Sequence, residues 1–253
     1  MCKFSLKGRT ALVTGGARGC GLAFARGLAE AGADIAIFDV IPASPALAQI
    51  SLDYSVRAEY YEVDVTSLSS LEAGFAKFKV AFDEKLDIVV ACAGVNKNVE
   101  FLETTESDVA RLFDVNCKGL YFTAQLAAKQ MIQNGTKHGS IILIASMASS
   151  IAIRSQRSSA YCATKGAVNA MVPPMAAELA GYGIRVNSVS PGYVRTEMTA
   201  PFPHLLKSWR DEVMLGRVAE PDDIKGACIF LASDASMYCT GSDIVVDGGV
   251  IRW

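Results

Sequence analysis

The sequence predicts a single α/β domain, residues 1–253, built on a doubly wound sheet of seven parallel strands flanked by helices. Two observations predict the class, and a third predicts one domain. Apolar, β-branched runs of strand length alternate with longer segments of helical periodicity, the pattern of βαβ units. Parallel strands need crossovers of that length, and right-handed crossovers wind helices onto both faces of the sheet. The chain shows no internal repeat, low-complexity tract or Pro/Ser-rich linker.

Taken in order, strands are expected at 10–14, 34–39, 58–63, 87–92, 139–145, 184–190 and 243–247. The first is the run Ala11-Leu12-Val13 leading into glycines, the second is Ile35-Ala36-Ile37-Phe38 ending on Asp39, and the fifth is Ile141-Ile142-Leu143-Ile144-Ala145 leading into Ser146. The stretches 20–31, 67–82, 104–133, 159–180 and 221–232 are long and periodic enough for helices. Pro173-Pro174 falls inside the fourth of these. Each proline lacks a backbone donor and crowds the preceding turn, so a kink or break is expected there.

With 24 basic and 26 acidic residues, the chain has no electrostatic footprint for nucleic acid or an anionic membrane. No apolar stretch reaches the roughly 18 residues of a membrane span, and the start of the chain lacks an apolar core of signal-peptide length. A soluble, cytoplasmic protein acting on a small molecule is expected. Seven scattered cysteines, including Cys2, have no Cys-x-x-Cys spacing, so neither disulfides nor a zinc site is expected. His138 and His204 are the only histidines, too few for a histidine-rich metal centre.

Between the first strand and first helix, Gly15, Gly19 and Gly21 have the spacing G-x-x-x-G-x-G, which lets backbone amides approach a phosphate at the positive end of a helix. A plain tight turn is the alternative. Asp39, at the end of the second strand, suits both ribose hydroxyls of a dinucleotide and would repel a 2′-phosphate, so NAD is expected over NADP. Val40 offers no compensating charge, whereas Arg18 either pairs with a phosphate or is a solvated loop arginine. Asp64-Val65 and Ala93-Gly94 fall at the carboxyl edge of the sheet. Asp64 either accepts from an adenine amino group or serves as a helix N-terminal acid or turn former.

Tyr161 and Lys165 are four residues apart and project from one helix face. An ammonium group beside a phenol favours the phenolate, which makes the pair a proton-transfer device.

With Thr14 to Gly21, Asp39, Asp64, Asn116, Ser146, Tyr161-x-x-x-Lys165 and Pro191-Gly192 in this order, the chain resembles the short-chain dehydrogenase/reductase family, in its roughly 250-residue branch. The likeness runs from Gly8 to Gly249 and implies a Rossmann-like fold. Glu197-Met198, Thr240-Gly241-Ser242-Asp243, Asp247-Gly248-Gly249 and Trp253 look most like fungal polyol dehydrogenases and ketone reductases. The resemblance implies that Tyr161 exchanges a proton with the substrate oxygen and that Ser146 hydrogen-bonds it. Lys165 would lower the tyrosine pKa and hold the nicotinamide ribose, while Asn116 anchors a water leading to solvent. Pro191, Gly192, Val194 and Thr196 would border the nicotinamide. Homotetramers or dimers through the helices at 104–133 and 159–180 are implied as well.

Two departures stand out. Cys92-Ala93-Gly94 replaces the family's Asn-Ala-Gly, so that junction must be held differently. Ser146 precedes Tyr161 by 15 positions, two more than the commonest family spacing, which would land on Ala148. The strand leading into Ser146 selects it over Ser149 and Ser150, and the extra residues fall in the loop 147–160. In that loop Arg154, Gln156 and Arg157 either bind polar groups of a substrate or are exposed loop side chains. A mobile segment, 197–214, is expected to close over the site with Phe202 and Trp209 as an apolar wall.

The leading expectation is an NAD-dependent oxidoreductase moving hydride between the cofactor and a secondary alcohol or ketone, with direction open. The substrate is either a polyol or a bulky cyclic compound of secondary metabolism. A non-catalytic nucleotide-binding protein of the same fold is the competing class. A serine hydrolase is excluded by the lack of a Gly-x-Ser-x-Gly elbow at Ser146 and of a suitable histidine.

Overall fold

The computed structural model describes residues 3–42 and 45–252; Met1, Cys2 and Trp253 lie outside the described residues. Seven strands, β1 (Thr10–Thr14), β2 (Asp34–Asp39), β3 (Ala58–Glu62), β4 (Ile88–Ala91), β5 (Gly139–Ile144), β6 (Ile184–Pro191) and β7 (Asp243–Val246), form one parallel sheet of order β3-β2-β1-β4-β5-β6-β7. Helices α1 (Gly19–Glu30), α2 (Pro45–Tyr54) and α3 (Leu68–Ala81) alternate with the first strands. They are followed by α4 (Glu106–Phe113), α5 (Leu120–Gln133), α6 (Ser159–Leu179), α7 (Leu206–Glu212) and α8 (Pro221–Ala232).

Strand periodicity sorts the core into two layers. In β1 and β4, Ala11, Val13, Ile88 and Val90 pack on one side with Phe24 and Leu28 of α1, Ile50 of α2 and Leu231 of α8. Leu12, Val89 and Ala91 pack on the other with Phe78 of α3, Met131 of α5 and Val172 of α6. Both faces are covered, which is why these strands read as continuous apolar runs.

The expected helix at 104–133 is three pieces. Thr105 caps α4, its hydroxyl accepting from Asp108 N at 3.2 Å while the Asp108 carboxylate accepts from Thr105 N at 3.3 Å. A π-helical turn, Asp114–Gly119, then separates α4 from α5 and carries Asn116. Gly119 sits within it against Val65, where a Cβ would come within 2.8 Å of the Val65 side chain.

The break expected at Pro173-Pro174 does not occur: α6 runs through both prolines to Leu179. Both rings are exposed, while Val168, Val172 and Ala176 bury the opposite face of the helix. The carbonyls left without a helical donor belong to Asn169, which is half-buried, and exposed Ala170, so the loss falls mainly where water can replace it. Helices α2 and α7 were not expected. Each buries only one or two side chains, Leu47 and Ile50 in α2 and Trp209 in α7, too few to set a helical period. Among the described residues no helix is long and apolar enough to cross a membrane.

Candidate active site

The chain turns back between β1 and β4, whose neighbours wind away in opposite directions, so a crevice opens at their carboxyl ends. Gly15 lies at this point with φ +66°, and a Cβ there would be 2.7 Å from Ala93 Cα. Gly21 is pressed against the same turn, where a Cβ would meet Gly15 O at 2.0 Å. The junction that an asparagine would tie is held instead by Thr14, whose buried hydroxyl accepts from Cys92 N at 3.1 Å and Ala93 N at 3.2 Å.

From this crevice a cavity of about 740 Å³ runs along the sheet edge. Gly15, Arg18, Gly19, Gly21, Asp39, Asp64, Val65, Ala93, Gly94, Pro191, Gly192, Val194 and Thr196 all line it, together with Ser146, Gln156, Tyr161, Lys165 and Trp209. Residues from the whole length of the chain thus meet in one space.

At one end lies the Asp39 carboxylate, 8 % exposed; its oxygens accept from Ala17 N at 3.0 Å and Ile41 N at 3.1 Å. Asp64 Oδ1 accepts from Thr66 N and Thr66 Oγ1, at 2.9 and 2.8 Å, so its turn-forming role is realised while it lines the cavity. The first turn of α1 carries no acidic side chain, and Arg18 makes no capping bond, which leaves its amides for an anion. Glu197 reaches this end as well, with Oε2 3.3 Å from where a Gly19 Cβ would lie. A dinucleotide fits these residues: an acid for ribose hydroxyls, a free helix start for a diphosphate, and Gly94, where a Cβ would find no atom nearer than 3.5 Å.

At the other end, Ser146 follows β5 and Tyr161 and Lys165 stand on the first turns of α6. Lys165, 4 % exposed, donates to Ile144 O at 2.7 Å, and its Nζ is 5.8 Å from the centre of the Tyr161 ring. Ser146 lines the cavity, whereas Ala148 has no hydroxyl and Ser149 is spent on donating to Ser146 O at 2.7 Å; the longer spacing is thereby accommodated in the loop.

The electrostatics differ from the sequence expectation. Burial pushes the Tyr161 phenol up to about 12, against the lowering effect of the Ser146 hydrogen bond, and pulls Lys165 down to about 8. Desolvation, rather than the lysine charge, dominates the phenol.

Asn116 does not line the cavity. Its amide donates to Val95 O at 2.9 Å and Thr164 Oγ1 at 3.0 Å, and its Oδ1 accepts from Val95 N at 2.9 Å. The π turn therefore clamps the chain after β4 to α6, directly behind Gly94 and Lys165.

Of the residues expected to touch substrate, Arg154, Arg157 and Phe202 do not reach the cavity. The two arginines remain exposed in solvent, while apolar Ile153 between them and Ser149 turns inward. Phe202 precedes the turn Pro203–Leu205 and packs outside the cavity, its ring 6.4 Å from that of His204. Trp209 is where expected. It stacks on Tyr193 at 5.0 Å and 16° and donates to Ser155 Oγ at 3.0 Å, fastening segment 197–214 to loop 147–160. Asn96, Met147, Ile153 and Tyr193 line the cavity without having been singled out, because no periodicity or spacing marks a loop residue whose role is set by folding. Among the described residues no group of three or more His, Cys, Asp or Glu side chains could hold a metal ion.

The family model described as Enoyl-(Acyl carrier protein) reductase matches residues 15–251. The chain is 36 % identical over 253 residues to galactitol 2-dehydrogenase (L-tagatose-forming) of Cereibacter sphaeroides, covering 99 % of this chain and 98 % of that one. It is 37 % identical to a sorbose reductase of Schizosaccharomyces pombe, covering 97 % of each. A solved gluconate 5-dehydrogenase from Burkholderia cenocepacia, in complex with NADP and tartrate, superposes with a TM-score of 0.91 at 36 % identity, covering 99 % of this chain and 98 % of that one.

The lowered pKa of Lys165 has a thermodynamic consequence. Between about 8 and the ordinary lysine value the unfolded chain holds this proton and the folded chain does not, so stability rises with pH across that window. Above about 10 the raised Tyr161 acts in the opposite sense, because the folded chain then holds the extra proton. Urea unfolding of wild type and Lys165→Met should therefore show the wild type gaining on the variant between pH 8 and 10, and a constant difference would contradict the buried, depressed lysine.

Proposed function

Because the chain belongs to the short-chain dehydrogenase/reductase family, we propose that it is an NAD(H)-dependent oxidoreductase interconverting a secondary alcohol of a polyol and the corresponding ketone. The observation that carries this reading is one continuous cavity with Asp39 and the start of α1 at one end and Ser146, Tyr161 and Lys165 at the other. The relatives named for galactitol and sorbose point to the substrate class.

In this reading the nicotinamide, when bound, supplies the hydride acceptor or donor, and the protein supplies orientation and proton transfer. Ser146 Oγ holds the reacting oxygen. Tyr161 takes its proton in oxidation and returns it in reduction. A phenol raised by burial keeps its proton, and both giving it up and acting as a base depend on a favourable charge beside it, which Lys165 is placed to provide. Asn116 positions this group from behind, by holding Val95 and Thr164. Gly15, Gly19, Gly21 and Arg18 receive the diphosphate, Asp64, Val65, Ala93 and Gly94 the adenosine side, and Pro191, Gly192, Val194 and Thr196 the nicotinamide. Segment 197–214 is the substrate loop.

NAD follows from Asp39, whose buried carboxylate would repel a 2′-phosphate. The gluconate 5-dehydrogenase was solved with NADP, so the discrimination in this chain rests on that one side chain and on how far Arg18 can offset it. A bulky cyclic substrate is the second reading, favoured by the apolar cluster of Met147, Ile153, Tyr193 and Trp209. Cytoplasmic location belongs to the same proposal. So does a homotetramer or homodimer through α4, α5 and α6, where Val109, Phe113 and Tyr121 are exposed.

Nicotinamide absorbance, followed with NAD or NADP against sugar alcohols and cyclic secondary alcohols, should show turnover of sugar alcohols with NAD. Tyr161→Phe should lower kcat by roughly 100-fold or more while cofactor still binds; turnover of cyclic alcohols alone, or an unaffected Tyr161→Phe, would remove this reading. Asp39→Ala should weaken NAD binding and relax rejection of NADP, and an unchanged ratio of the two affinities would show that Asp39 does not read the ribose. Sedimentation at micromolar concentration should give a dimer or tetramer, and a pure monomer would refute the assembly.

A further inference from the structure

Ser146 stands where the sheet stops guiding the chain. Ala145, just past β5, is still tied to β6, its N–H donating to Val189 O at 2.9 Å, and the chain then turns into the loop 147–160 that leads to Tyr161. Within that turn Ser146 is held on two sides. Its Oγ accepts from Ala148 N at 3.1 Å, and its carbonyl accepts from Ser149 N at 3.0 Å and from Ser149 Oγ at 2.7 Å. Ser149 does not line the cavity, so its hydroxyl serves the turn rather than a ligand.

The Ser149 hydroxyl is itself held from behind. Asn169 Nδ2 donates to Ser149 Oγ at 2.8 Å and to Asp243 Oδ2 at 3.1 Å, while Asn169 Oδ1 lies 3.1 Å from the Ser188 hydroxyl. The Asp243 carboxylate accepts in turn from Ser188 Oγ at 2.8 Å and Ser190 Oγ at 2.9 Å. Ser188 and Ser190 are buried in β6 and Asp243 opens β7, so these bonds end on two paired strands. Asp243 also sets their direction. An ionised carboxylate only accepts, so it must be faced by the amide nitrogen of Asn169. The second hydrogen of that nitrogen then goes to Ser149 Oγ, which leaves the Ser149 proton for the carbonyl of Ser146.

Asn169 belongs to the same helix face as the proton-exchanging pair. Tyr161, Lys165 and Asn169 follow one another at intervals of four, one stripe along α6. In the proposed function this one helix places Tyr161 directly and, through Asn169 and Ser149, the serine that shares the substrate oxygen with it.

We propose that Ser149 and Asn169 are positioning residues for the reaction: a relay of hydrogen bonds from Asp243 through Asn169 and Ser149 fixes the Ser146 carbonyl and thereby aims the Ser146 hydroxyl at the substrate oxygen. This rests on the oxidoreductase reading above and deepens it by naming what holds Ser146. A small misplacement of a group that must meet the reacting atom costs rate, even when the displaced contact lies behind the site.

Steady-state kinetics on an alcohol that the wild type oxidises tests the relay. Ser149→Ala and Asn169→Ala should each lower kcat by roughly 10-fold, with KM for alcohol and cofactor within about twofold, and the two together should lose little more than either alone. Ser149→Thr, which keeps the hydroxyl, should recover most of the rate. With Ser146 already replaced by alanine, Ser149→Ala should change kcat by less than about twofold, because the group it aims is gone, whereas a general loosening of the fold would still cost rate there. Should Asn169→Ala fold poorly, Ser149→Ala and its threonine counterpart decide the matter. Unchanged kcat in Ser149→Ala, a loss confined to KM, no recovery with threonine, or an undiminished loss in the Ser146→Ala background would overturn the relay and leave the oxidoreductase reading standing. Wild-type protein that turns over no alcohol or ketone would overturn that reading and this inference with it.

Discussion

The close approach of the chain after β1 to the chain after β4 is the contact on which the rest of the structure depends. Gly15 can come this near to Ala93 only without a side chain, and the Thr14 hydroxyl accepts from two successive amides to hold the junction. Because the sheet winds away on both sides of this point, the junction leaves a crevice at the carboxyl ends of the strands. An added Cβ at Gly15 would push the two turns apart and disturb both ends of the cavity together.

From that junction the two ends are built by different means. The Asp39 end is backbone chemistry: a carboxylate held by two amides, and a helix start with no acidic residue in its first turn. The Tyr161 end is a matter of desolvation. Burial raises the phenol to about 12 and lowers the ammonium to about 8, so below pH 8 a charged lysine stands beside a protonated phenol. Asn116, within a π turn and spent on Val95 and Thr164, fixes the distance between the crevice and α6 without lining the cavity itself. In the proposed function, this division lets one space hold a long ligand at one end and Tyr161 at the other.

Much of this was legible in the sequence, since strands bury both faces and stand out as apolar runs, and Tyr161 and Lys165 share a helix face by spacing alone. Ser146 was chosen through the strand before it, although its spacing to Tyr161 is unusual, and it lines the same cavity as Tyr161. What was not legible depends on tertiary context. Pro173 and Pro174 argue locally for a kinked or broken helix, yet α6 stays helical across them while Val168, Val172 and Ala176 are buried on its other face. Arg154 and Arg157 are chemically suited to a polar substrate but stay in solvent, while Asn96 lines the cavity in a loop whose residues Val95 and Asn98 are bonded to Asn116 and Arg157, links that no local pattern announces.

A crystal structure with NADH and an unreactive sugar-alcohol analogue tests the central claim most directly. The account predicts ribose hydroxyls on Asp39, the diphosphate at the start of α1, and the analogue's oxygen within hydrogen-bond distance of both Ser146 Oγ and the Tyr161 hydroxyl. An analogue bound away from Ser146 and Tyr161, or a dinucleotide lying outside the crevice between β1 and β4, would contradict it.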